Sequence, residues 1–210
     1  MAPLATSSQP RLDAVADPVG RPDRRSVDTE LIRATLAGDR AAARELHRHY
    51  YPIVASFLRK LGALPHDLED ACQEVFTQFF RYVGGFRGEA ELKTWVFRLC
   101  VTEARRARRR RRMAAALDGV LRREPSEDTV PAPVTSDRTI HDLAKGALDR
   151  MDPDQRLAFV LFEIEGLTGR EAAEISGKTM AAMFRRLYEA QRIFCEALGI
   201  EPTAQKRRDA

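Results

Sequence analysis

The stretch EAAEISGKTMAAMFRRLYEA, Glu171–Ala190, decides the fold. Its tripeptide Gly177-Lys178-Thr179 is how a phosphate-binding loop ends, and it is also what a bend between two helices looks like. A phosphate-binding loop needs a further glycine five residues before the last one, in a loop that follows a buried strand. That position is Ala172, inside a helical pattern opened by Thr168-Gly169-Arg170-Glu171, which reads as a capping box. The nucleotide reading fails on both counts. A helix-turn-helix has the right spacing: about eight helical residues, a short turn at Gly177, then a longer helix. Ala172, Ala173 and Ile175 face inward in the first helix. Met180, Met183, Phe184 and Leu187 include the packing side of the second. Lys178, Thr179, Arg185, Arg186 and Arg192 are left for phosphates and base edges.

Working outward, the remaining text is helical by period. Leu31, Ile32 and Leu36, then Leu46, Tyr50, Val54, Phe57 and Leu58, recur at three- and four-residue steps. Gly38-Asp39 and Gly62 separate the first helices. Pro65-His66-Asp67 opens the next, with Leu68, Cys72, Val75, Phe76, Phe79 and Phe80 on one stripe. Glu89 to Arg112 gives a further helix with Leu92, Trp95, Val96, Leu99 and Cys100 inward. Asp152-Pro153-Asp154-Gln155 is another capping box, with proline at the first helical position. The class is all-α: two small helical domains joined by a flexible linker, the second containing the helix-turn-helix. The expected division is a disordered leader over 1–28, helical domains over 29–112 and 139–198, a linker over 113–138 and a frayed tail over 199–210.

Charge is uneven along the chain although the net is only +4. Seven of the eight residues Arg105–Arg112 are arginine, while Asp67, Glu69, Asp70 and Glu74 crowd one short segment. One surface therefore suits a polyanion and another a basic partner. The acidic group opens a helix, where the dipole favours anions, and no histidines or glycines converge on it for catalysis. Phe86 and Arg87 follow Gly84-Gly85 and precede a basic helix bearing Trp95, an arrangement that suits stacking on unpaired bases or simple core packing. The three cysteines are scattered, as expected of buried thiols in a reducing compartment. His47 and His49 point apart on a helix. No cofactor, metal site or catalytic residue is expected, and no apolar run is long enough to span a membrane. The protein is expected to be cytoplasmic.

The segments DLEDACQEVFTQFFRYVGGFRGEAELKTWVFRLCVTEARRARRRRR and LDRMDPDQRLAFVLFEIEGLTGREAAEISGKTMAAMFRRLYEAQRIFCEAL resemble the second and fourth regions of the extracytoplasmic-function sigma factors of bacterial RNA polymerase, in order and with a variable linker between. The resemblance implies a non-enzymatic protein that binds core polymerase, directs promoter recognition and helps melt DNA. It implies polymerase docking by Asp67, Glu69, Asp70, Gln73 and Glu74. Downstream promoter binding falls to Phe86, Arg87, Lys93, Trp95, Arg98, Arg105 and Arg106. Upstream promoter binding falls to Lys178, Thr179, Arg185 and Arg186. An anti-sigma protein is the further partner it implies. Family members usually carry larger aliphatics at Ala172 and Ser176, an aliphatic at Lys178, and basic residues or histidine at Phe184, Tyr188 and Glu189. The recognition helix is therefore less basic than its relatives', and weaker packing is expected at the turn. A DNA-binding regulator, or a polymerase-binding adaptor or inhibitor with weakened upstream recognition, stands as the alternative.

Overall fold

The computed structural model describes residues 24–88, 91–121 and 140–200. The leader before Arg24, the linker over 122–138 and the tail from 201 lie outside the described residues. Among those described, every regular element is a helix: α1 (Arg24–Leu36), α2 (Arg40–Lys60), α3 (Leu68–Tyr82), α4 (Leu92–Leu121), α5 (Ile140–Arg150), α6 (Pro153–Phe159), α7 (Gly169–Ser176) and α8 (Met180–Leu198).

The caps form as their residue types dictate. Asp39 accepts from the amides of Ala41 and Ala42 at the start of α2. Asp152 with Gln155, and Thr168 with Glu171, close both reciprocal capping boxes. Each such cap contributes about 1 kcal/mol. Gly177 takes the left-handed conformation at φ 67° that ends α7, and Thr179 then caps α8.

In the first half, α2, α3 and α4 pack around the stacked rings of Phe57 and Phe97, whose centroids lie 3.9 Å apart. Cys72, Val75, Phe79, Val96 and Cys100 complete this core. Phe80 sits at the exposed rim of its stripe, whereas Gln78 is buried and hydrogen-bonds Glu74. Burial pushes the Cys72 and Cys100 thiols up, and Cys195 is only half-buried rather than buried. Iodoacetamide is accordingly expected to alkylate Cys195 well ahead of the other two in the native protein. Equal rates by mass spectrometry would contradict this packing.

Two boundaries differ from expectation. The leader was expected through residue 28, but α1 begins at Arg24 because Asp28 is buried. It accepts a 2.5 Å hydrogen bond from the Tyr50 hydroxyl and pairs with Arg24. The helix expected to stop at Arg112 continues to Leu121, through Met113 and three alanines with strong helical preference.

In the second half, α6 runs into a π-helical turn, Val160–Ile164. The two halves share one apolar core: Leu157, Val160, Leu161, Ala172 and Ile175 join the cluster built around Phe57. Arg156 of α6 aims its guanidinium at the C-terminus of α2, donating to the carbonyls of Lys60 (2.5 Å) and Arg59 (3.5 Å). A cation there complements the helix dipole.

Candidate nucleic-acid interface

Three of the side chains singled out on α4, Lys93, Arg98 and Arg105, each meet a group of the second half while staying partly exposed. Lys93 pairs with Glu165 at 3.0 Å, and Lys60 of α2 takes the other oxygen of the same carboxylate at 2.7 Å. Burial alone would raise the carboxyl pKa of Glu165. The two lysine hydrogen bonds outweigh that and hold it below the usual carboxylate value. Arg98 lies 3.4 Å from Glu174, and Arg105 donates to the carbonyl of Ser176 at 2.9 Å. Glu165 follows the π turn directly and Glu174 belongs to α7, so the second half of the chain itself supplies anions to the cations of α4.

The rest of the basic helix divides. Arg106, Arg109 and Arg112 are exposed. Arg110 folds back onto Glu103 at 2.7 Å. Glu103 is fully buried, and its second oxygen has no hydrogen-bond partner among the described residues. Trp95 is half-buried, edge-on to Phe79 and tilted against Phe86, so both aromatic rings have one side on the core. Arg87 stands exposed beside them, on the rim of a cleft of about 540 Å³ whose other wall is α1, with Ile32 and Arg33.

The acidic residues of α3 lie together. Glu69, Asp70 and Gln73 are exposed. Asp67 is half-exposed, near His66 and Arg111, and Glu74 accepts from Gln78. A larger cleft, about 690 Å³, opens between the halves; Arg105 and Arg108 line one side, Asp152 and Asp154 the other.

On the helix-turn-helix, the four singled-out residues do not act alike. Lys178 does not run free to solvent: its amine sits 2.9 Å from Asp154 in the first turn of α6. Arg186 is held by Glu189 at 2.8 Å and Asp152 at 3.6 Å. The hydrogen bond between Arg186 and Glu189 raises the guanidinium pKa and lowers that of the carboxyl. Thr179 spends its hydroxyl on the α8 cap, and Arg185 is exposed. Ala172 and Ser176 are buried, and Ser176 bonds the Lys178 amide, so the turn keeps a polar tie where an aliphatic was expected.

Sequence reasoning missed Arg156, Glu165, Glu174 and Glu103. Their partners lie far off in the chain or two helical turns away, and only a buried charge at a predicted core position would have flagged Glu103.

Two family models match this chain: Sigma-70 region 2 over residues 46–113 and Sigma-70 region 4 over residues 142–192. Together they take in more than half of its length. The ECF RNA polymerase sigma factor SigE of Mycolicibacterium smegmatis is 30% identical over 176 residues, covering 81% of this chain and 67% of the relative. SigM of Mycobacterium tuberculosis is 28% identical over 181 residues, covering 82% and 85%. Among solved structures, the Bartonella quintana sigma factor RpoE, crystallised with the anti-sigma factor NepR, superposes with a TM-score of 0.60 at 23% identity, over 75% of this chain and 97% of that one. CnrH in complex with the cytosolic domain of CnrY gives 0.56 at 20% identity, over 83% and 96%. With both regions matched in order on an all-helical frame, the chain belongs to the ECF RNA polymerase sigma factors.

Proposed function

We propose that this sigma factor docks on core polymerase through the exposed start of α3, with Asp67, Glu69, Asp70, Gln73 and Glu74 as the contact face. The basic face of α4 and the Phe86–Arg87 loop then hold the unpaired strand of the downstream promoter element, through Lys93, Trp95, Arg98, Arg105 and Arg106. The second half presents α8 to the upstream element. Of the four residues first assigned there, Arg185 keeps a direct role and Thr179 sets the helix start. Lys178 and Arg186 serve by fixing α8 against α6. The protein does no covalent chemistry and works in the cytoplasm beside polymerase and DNA. Among the described residues no helix is long and apolar enough to cross a membrane.

The observation that carries this reading is the pairing of Lys93, Arg98 and Arg105 with groups of the second half. A face that grips phosphates is the one that internal anions would mask. The arrangement is thus a closed form, from which α4 is released when polymerase takes the two halves apart. A relative of the same fold, RpoE, was crystallised with the anti-sigma factor NepR, and an inhibitor seated in the cleft between the halves would hold this form shut.

Transcription by core polymerase with the protein, on a library of promoter fragments, tests the assignment: defined start sites are expected. Glu69→Arg combined with Asp70→Arg is expected to lower affinity for core polymerase at least tenfold, on the order of 1.4 kcal/mol, since like charges would meet at the dock. Unchanged copurification of the folded double variant would remove α3 from the polymerase interface.

A further inference from the structure

The apolar groups that α8 leaves exposed say how this helix recognises its target. Met180, Phe184 and Tyr188 follow one another at four-residue steps, so their side chains form a ladder up one face. They are 50%, 37% and 60% exposed, whereas the core-facing row of Met183, Leu187 and Ala190 is buried. The ladder is a second apolar face, and its seat is built. Phe162 stacks on Phe184 with centroids 5.1 Å apart. A Cβ at residue 169 would lie 3.1 Å from the Phe184 ring, so Gly169 lets the ring rest over the first turn of α7.

The charges around it are selected rather than abundant. Lys178 is withdrawn into an ion pair with Asp154 of α6, and Arg186 into pairs with Glu189 of its own helix and the α6 cap Asp152. Arg185, next to Phe184, and Arg170, next to Gly169, are exposed with no ion pair among the described residues. An apolar ladder flanked by two unpaired guanidinium groups is complementary to a polyanion that offers apolar groups between its phosphates.

We propose that α8 reads duplex DNA in the major groove by apolar contact of Met180, Phe184 and Tyr188 with thymine C5-methyl groups, while Arg170 and Arg185 hold phosphates. The proposal rests on α8 being the DNA-facing helix of the sigma factor. Thymine is the base that carries a methyl in the major groove, and an apolar side chain is what reads it. Bidentate readout of guanine would need a free arginine or lysine at these positions, and the ladder has neither. An acidic apolar protein surface is the competing occupant.

The test uses the full chain assembled with core polymerase on the promoter fragment it selects best from a random duplex library. Each thymine of the upstream element is replaced in turn by uracil, which pairs identically and lacks only the methyl. At one or more positions uracil is expected to weaken binding about fourfold per methyl read. Phe184→Ala is expected to weaken binding to the thymine duplex and to erase the difference between thymine and uracil. Equal affinity for both duplexes at every position would overturn methyl readout while leaving α8 as the DNA-facing helix. Failure of the upstream segment to influence selection at all would overturn that underlying reading. Phe184→Ala that binds both duplexes as wild type does but loses polymerase would assign the ladder to a protein partner and overturn the proposal.

Discussion

Glu165→Lys is expected to spring the two halves of the protein apart. The native carboxylate is about one-tenth exposed and bridges Lys60 and Lys93 at 2.7 and 3.0 Å. Reversal sets three ammonium groups together at the joint between α2, α4 and the π turn. Breaking a fully buried pair costs about 3–5 kcal/mol. Both lysines are about one-third exposed, so screening lowers the expected cost to roughly 2–3 kcal/mol. That shifts the closed-to-open ratio on the order of 30- to 150-fold. Small-angle scattering should report a larger radius, and the fluorescence of the single Trp95 should follow tighter binding of single-stranded oligonucleotide. The pH dependence has a definite sign. The folded pKa of Glu165 lies below its ordinary 4.5. Its contribution is therefore complete above about pH 4.5 and lost as pH falls through the depressed value. Glu165→Gln should lack that acid step. An unchanged radius and strand affinity in Glu165→Lys would show that this joint does not hold the closed form.

Phe57→Ala is expected to be the most destabilising single truncation in the first half. Its ring is fully buried, stacked on Phe97 at 12° between planes, and Lys93 sits over the far ring at 5.1 Å. Truncation of a buried phenylalanine costs about 3–5 kcal/mol, a large share of the roughly 5–15 kcal/mol that holds a domain folded. Because the Phe57 core continues into Leu157, Val160 and Ile175, the loss should appear in the unfolding of both halves. Urea unfolding followed by circular dichroism measures it, with Phe57→Leu retaining most of the stability. A loss under 1 kcal/mol would mean that the site collapses around the cavity.

Much of this was legible in local patterns. Apart from the start of α1 and the end of α4, the helices and their ends follow from period, capping boxes and the glycines at 166 and 177, since each is decided within one or two turns. The acidic start of α3 and the arginine run of α4 were plain as well. What period cannot carry is partnership at a distance. Asp28 looked like part of a polar leader until Tyr50 claimed it. Lys93, Arg98 and Arg105 read as open cations, and nothing local announces that Glu165 and Glu174 will meet them. Lys178 read as groove-directed because its acidic partner, Asp154, belongs to the start of α6, whereas Arg186 has a partner within its own helix, Glu189, besides Asp152. The π turn adds a residue to the helical repeat, and no composition signal marks it. On α8, Met180 and Phe184 read as packing residues but are exposed, and only Phe184 and Tyr188 stood out as departures from the family's basic residues, since burial decides which apolar row is core.

The pairing of Lys93, Arg98 and Arg105 with the second half has a consequence for where the free protein goes in a cell. When only a fraction of molecules is open, the apparent dissociation constant for a single strand is the intrinsic constant divided by that fraction. With about one molecule in a hundred open, strand affinity falls about a hundredfold. On the proposed function, unassembled copies are then poor competitors for unpaired DNA. On that reading, full grip on a melted strand is a property of the assembled enzyme, gained when polymerase frees Lys93, Arg98 and Arg105 from the second half.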